Sequence, residues 1–118
     1  MRREGGLLNA LGEHDEAARI LADGEATARR TWTGTLAKWL GSYLHHLGAA
    51  RLGLGRLAES EATLLEAHAL LVAGFGDEHP RTQLTVEQLS QLYDTWHRAE
   101  PGKGYDATAT EWRAKLVR

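Results

Sequence analysis

The chain contains no cysteine among its 118 residues. Disulfide frameworks, thiolate metal sites and cysteine nucleophiles are therefore excluded. Isoleucine and valine together occur four times (Ile20, Val72, Val86, Val117), so the β-branched residues that suit a pleated surface are nearly absent. Proline occurs twice, at Pro80 and Pro101. No apolar run reaches the length of a membrane span, and the stretch after Met1-Arg2-Arg3-Glu4-Gly5-Gly6 is too short for a signal peptide. There is no excess of one charge: 16 acidic and 14 basic residues leave a net charge of −2. A nucleic-acid binder would normally carry a basic excess. The expectation is a cytoplasmic protein with no nucleic-acid and no membrane partner, folded as a single domain over residues 1–118.

Leucine (19) and alanine (18) dominate what is present, and both favour helix. An all-α fold follows. Glycine and proline punctuate it at Gly12, Gly53 with Gly55, Gly74 with Gly76, Pro80, and Pro101-Gly102-Lys103-Gly104. Between these breaks, apolar spacings of three and four predict helices over about 14–30, 33–53, 57–74 and 80–97. In the first, Ala17, Ile20, Leu21, Gly24 and Ala28 share a stripe; in the second, Leu36, Leu40, Leu44, Leu47, Arg51 and Leu54 do so. The third carries two stripes, Leu57/Leu64/Leu71/Phe75 and Ala58/Ala62/Leu65/Ala69/Val72, which predicts packing on two sides. The fourth would bury Val86, Leu89, Tyr93 and Trp96. A short helix over residues 3–11 would precede them. A last helix would start near Asp106, or at Thr108 if Thr108-Ala109-Thr110-Glu111 is a capping box. Ala109, Trp112 and Leu116 would dock it.

The chain also repeats itself. Leu11-Gly12-Glu13-His14-Asp15-Glu16-Ala17 aligns with Leu54-Gly55-Arg56-Leu57-Ala58-Glu59-Ser60 at an offset of 43 residues, and Leu21 then falls on Leu64. Each segment reads as a helix ending at glycine, a short turn, and a second helix with acidic residues at its start. A small residue one turn in would let the two helices cross closely.

These features resemble the tetratricopeptide repeat: Gly12/Ala17 and Gly55/Ser60 sit where that repeat turns, and Leu64, Ala67 and Tyr93 sit at its later apolar, small and aromatic positions. The spacing and Gly76-Asp77-Glu78-His79-Pro80 are similar to the kinesin-light-chain variety. The stretch from Leu54 through Thr82, with Leu92-Tyr93, Trp96 and Glu111-Trp112-Arg113-Ala114, resembles the last repeats of bacterial regions that often follow serine/threonine kinase domains. No kinase signature occurs in this chain. The linker Arg30-Thr31-Trp32-Thr33 departs from the pattern by lacking His-Pro, and the final turn is expanded by residues 101–105. The resemblance implies an α-solenoid of about two and a half repeats: two helical hairpins with a short helix before them and a capping helix after. The half-repeat at the start fits a fragment of a longer parent, and its apolar end could pair two chains into a homodimer.

Several motifs invite a chemical reading. Gly53-Leu54-Gly55-Arg56-Leu57-Ala58 matches a dinucleotide pattern but follows a helix rather than a strand, so it is read as a turn. His45 and His46 are adjacent and cannot chelate together on a helix, while Asp94 and His97 form at most a half-site. Ser42, Ser60 and Ser90 have no recognisable base nearby, and the carboxylates Glu59, Glu61, Glu66, Asp77 and Glu78 read as solvated. Trp96 and Trp112 fall on apolar stripes and are read as core; Trp32 and Trp39 are less determined by pattern, and core is favoured there over an exposed interface anchor. No catalytic residue, no cofactor and no metal is expected. The resemblance instead implies a non-enzymatic protein-interaction module that takes a protein or peptide partner on a concave face. That face carries over as Ser42, His45, Ala49 and Leu52 from one helix and Leu84, Glu87, Gln91 and Asp94 from the next.

Overall fold

The structure is a computed structural model that describes the backbone of residues 6–117 and the side chains of residues 12–117. The described residues are helical throughout, with no strand among them: α1 (Gly6–Thr31), a 3-10 turn (Gly34–Leu36), α2 (Ala37–Gly53), α3 (Leu57–Phe75), α4 (Pro80–Ala99) and α5 (Tyr105–Arg113). Each helix packs on its neighbours in the chain, and α2 also touches α4.

The turn between α2 and α3 forms where the sequence predicts it. Gly55 adopts φ +80°, a left-handed conformation that costs glycine little. Its N–H donates to the Leu52 carbonyl (2.9 Å), and the Arg56 N–H donates to the Arg51 carbonyl (3.0 Å). Those two bonds are a Schellman closure, which satisfies the last carbonyls of α2. One turn into α3, Ser60 is fully buried and its hydroxyl donates to the Gly48 carbonyl (2.8 Å). A Cβ added at Gly48 would stand 2.6 Å from Leu64, so the two helices cross at a distance only glycine permits there. The loop into α4 also forms as read: the His79 side chain accepts the Arg81 N–H (3.1 Å) and Pro80 occupies the first turn.

The segment aligned with that turn does not turn. Helix α1 runs without a break through Gly12, whose φ is not among the positive values. The short helix expected over residues 3–11 is therefore not separate from the next; residues 3–5 lie outside the described residues. Glycine permits a break without forcing one. Extending an existing helix through glycine costs about 1 kcal/mol, whereas a fresh start requires a new nucleus and a partner to pack on. So α1 is one helix, and the most extensive helix pairs are α2 with α3 and α4 with α5.

The cores of the two halves differ. Ala28, Leu40, Leu44, Leu47 and Ala67 form an aliphatic cluster, covered by Leu21, Trp32, Tyr43 and Leu70. Leu64, Leu89, Leu92, Tyr93 and Ala109 form the second, covered by Leu52, Leu57, Trp96, Tyr105 and Trp112. Helix α3 supplies Ala67 to one and Leu64 to the other, so it is packed on two sides as expected. It does not use the expected second stripe, however. Ala58, Ala62, Leu65 and Ala69 are exposed, and Val72 is half-buried. The small residues at the close crossing are instead Gly48, Ser60 and Ala67.

Other details also differ. Ile20 is 61% exposed, because Ala18, Leu21 and Ala28 make the inward face of α1. Leu36 lies in the 3-10 turn and is exposed. Helix α5 starts at Tyr105, capped by the left-handed Gly104 (φ +85°). The Thr108 hydroxyl donates to the Gly104 carbonyl within that helix, so no capping box forms at Thr108. Ala109 is buried, with Trp112 and Leu116 half-buried beside it.

Candidate functional site

Helices α2 and α4 make a small contact, and the eight residues carried over as a binding face come from these two. The structure draws three of them together. Ser42 and His45 on α2 and Leu84 on α4 line one shallow cleft with His46, Leu71 and Arg81. Arg81 Nη1 donates to Ser42 Oγ (2.9 Å), and His45 Nδ1 lies 2.9 Å from Thr85 Oγ1. Burial, and then the neighbouring His46, push the His45 imidazole down to about 4, so it is neutral at pH 7.

The other five are placed differently. Ala49 is half-buried farther along α2. Leu52 packs against the aromatic-rich cluster and is committed to the core. Asp94 accepts from Arg113 Nη2 (2.5 Å), which ties α4 to α5. Glu87 and Gln91 are exposed on α4. The face thus divides into a cleft at the start of α4 and a helix-to-helix tie near its end.

Glu59, Asp77 and Glu78 are exposed, as expected, whereas the three serines, Glu61 and Glu66 are engaged structurally. Ser60 and Ser90 donate to the backbone carbonyls of Gly48 and Val86, and Ser42 holds Arg81. Glu61 accepts from the Tyr93 hydroxyl (2.6 Å); burial first, and then that carboxylate, raise the Tyr93 phenol well above its ordinary range. Glu66 grips Arg29 through both oxygens (2.8 Å each) and is held below the usual carboxylate range by it. Asp94 turns to Arg113, while His97 Nδ1 is buried without a hydrogen-bond partner, 3.9 Å from Asp106. Among the described residues, no group of three histidines or carboxylates converges as a metal site would require.

Further hollows lie elsewhere, among them one of about 280 Å³ beside Lys38, Leu70 and Gly74. Another, of about 250 Å³, is lined by His68, Asp77, Gln83, Val86 and Lys115. The Gln83 side chain closes it by donating to the Asp77 and Lys115 carbonyls (2.9 and 3.2 Å) and accepting from the Val117 N–H (2.8 Å). A third, about 400 Å³, opens between α1 and α2 beside Trp32 and Tyr43.

Sequence reasoning missed four residues at the mouth of the α2–α4 cleft: Lys38, Trp39, Phe75 and Arg81. Trp39 is not core; it is 36% exposed and meets Phe75 edge-on at 5.5 Å. The four come from three elements, so no single periodic stripe could have joined them.

The fold is thus an all-helical array of neighbour-packed helices, and no described helix is long and apolar enough to cross a membrane. Compared with protein-family models, curated proteins and solved structures, the chain matches none.

Proposed function

We propose that the chain is a non-enzymatic protein-interaction module, a tetratricopeptide-like α-solenoid segment of two hairpins preceded by α1 and capped by α5. The observation that carries this reading is the order of packing along the chain, with α2 packed on α3 and α4 on α5, and a smaller contact that brings α2 to α4. In such an array the first helices line one face, and an extended peptide or a partner helix can lie along it. Ser42, His45, Ala49, Glu87 and Gln91 supply its polar and small contacts, with Leu84 as an apolar one. A place at the end of a longer repeat region, such as those that follow bacterial kinases, fits the same reading.

The test is capture of partners from a lysate of the source cells, followed by direct titration of the captured protein. Alanine at His45, Glu87 or Gln91 is expected to weaken binding by ~1 kcal/mol or more at any residue that anchors the partner. Wild-type binding by all three variants would overturn the assignment of this face.

A second reading is self-association through α1. The exposed Ile20 and the open hollow beside Trp32 and Tyr43 favour it. A mass that rises with concentration, and falls back when Ile20 is replaced by Asp, would support it.

A further inference from the structure

At the start of α4, two cations flank an aromatic pair, Trp39 at 36% exposure and the half-buried Phe75. Lys38 Nζ stands 5.0 Å from the Phe75 ring centre and 6.0 Å from that of Trp39. Arg81 Cζ stands 5.1 Å from the Trp39 ring centre and 5.9 Å from that of Phe75. The other side of Phe75 is occupied too: His79 stacks on it at 4.2 Å and also caps α4. Among the described residues, neither Lys38 nor Arg81 has a carboxylate within ion-pair distance, whereas Arg29 has two and Arg19 and Arg113 have one each. The nearby Asp77 lines the separate hollow with His68 and Lys115.

Arg81 is also held in place. Ser42 accepts one of its N–H groups and the Trp39 ring supports the guanidinium. Its remaining donors have no partner among the described residues and suit a planar anion, with the Ser42 bond and the Trp39 ring limiting their orientation. Leu84, 52% exposed, stands beside it in the cleft and offers an apolar contact. Cations beside exposed tryptophan and leucine suit a carboxylate followed closely by an aliphatic side chain.

We propose that this rim of Lys38, Trp39, Phe75, Arg81 and Leu84 docks an acidic segment of a partner protein, with a carboxylate on Arg81 and an aliphatic side chain against Trp39 and Leu84. This rests on the interaction-module reading and names the partner's chemistry. It places the anchor at the mouth of the cleft rather than along Glu87 and Gln91.

The probe is a short fluorescein-labelled peptide with two leucines flanked by glutamates, titrated into the full chain by fluorescence anisotropy. A peptide with lysine in place of glutamate is the control. Binding in the range of ~10–100 µM is expected for the acidic peptide alone, weakening as salt rises. Arg81→Glu is expected to weaken it at least ~tenfold, Lys38→Glu by less, and Arg81→Lys to recover only part of the wild-type affinity. Circular dichroism shows whether each variant is folded. If Arg81→Glu unfolds the chain, Lys38→Glu and Arg81→Lys carry the test. Equal binding of both peptides, no binding of the acidic one, or wild-type affinity in these variants overturns the proposal. Peptide binding lost on Gln91→Ala but kept in Arg81→Glu retains the α2–α4 face as the site and overturns the rim. A wild-type chain that forms oligomers dispersed by Arg81→Glu makes the occupant a second copy, and the partner-segment proposal fails.

Discussion

Leu11 to Ala17 and Leu54 to Ser60 carry the same pattern, yet the first lies inside one helix and the second joins two. The aligned positions diverge step by step. Gly12 is helical and exposed; Gly55 is left-handed. Ala17 is half-buried, while Ser60 is fully buried and donates to Gly48 across the hairpin. Leu21 is half-buried, while Leu64 is wholly enclosed. A glycine becomes a turn when a second helix can close back on the first. At Gly55 the helix that closes back is α3, packed on α2; at Gly12 α1 simply continues.

Substitutions at the aligned pairs measure this difference. Leu64→Ala should have the largest effect, a loss of ~2–5 kcal/mol in denaturant unfolding, because Leu64 fills the second cluster and wedges against Gly48. Leu21→Ala should cost clearly less, since Leu21 only covers its cluster; equal losses would remove the contrast. Gly55→Ala should cost ~1–2 kcal/mol for a left-handed alanine, although the space around it is open. Gly12→Ala should do the opposite and stabilise by ~0.5–1 kcal/mol, because a Cβ there meets nothing and α1 is continuous. A destabilising Gly12→Ala would mean that α1 breaks at this point.

Stability should also depend on pH. The His45 imidazole is pushed below its ordinary 6.5 to about 4 by burial. Between these values the unfolded chain binds a proton that the folded chain rejects. Stability should therefore hold above pH 6.5 and fall as the pH drops toward 4. His45→Gln should flatten that slope in chemical unfolding measured across this range. A slope that persists in the variant assigns the effect to other groups, the partly buried His68 first among them.

Much of the fold was legible because local rules agree with the packing. The leucine and alanine excess, the glycine at 55, the small residue at 60, and His79-Pro80 each act within one turn of the chain. The candidate face was legible in part. Ser42, His45 and Leu84 meet at one cleft, but Leu52 and Asp94 are drawn into packing and an ion pair whose partners lie on other helices. The rim around Arg81 was not legible, since Lys38, Phe75 and Arg81 have nothing in common until three helices bring them together.

By itself the sequence determined the helical class, four of the five α-helices to within a few residues, and the turn at Gly55, because helix propensity, capping and periodicity are local. Only the tertiary structure decided that Gly12 is helical, that the alanine stripe of α3 faces outward, and that Trp39 and Arg81 meet. Each of these depends on whether another helix arrives at that place, and burial is a property of the partner as much as of the residue.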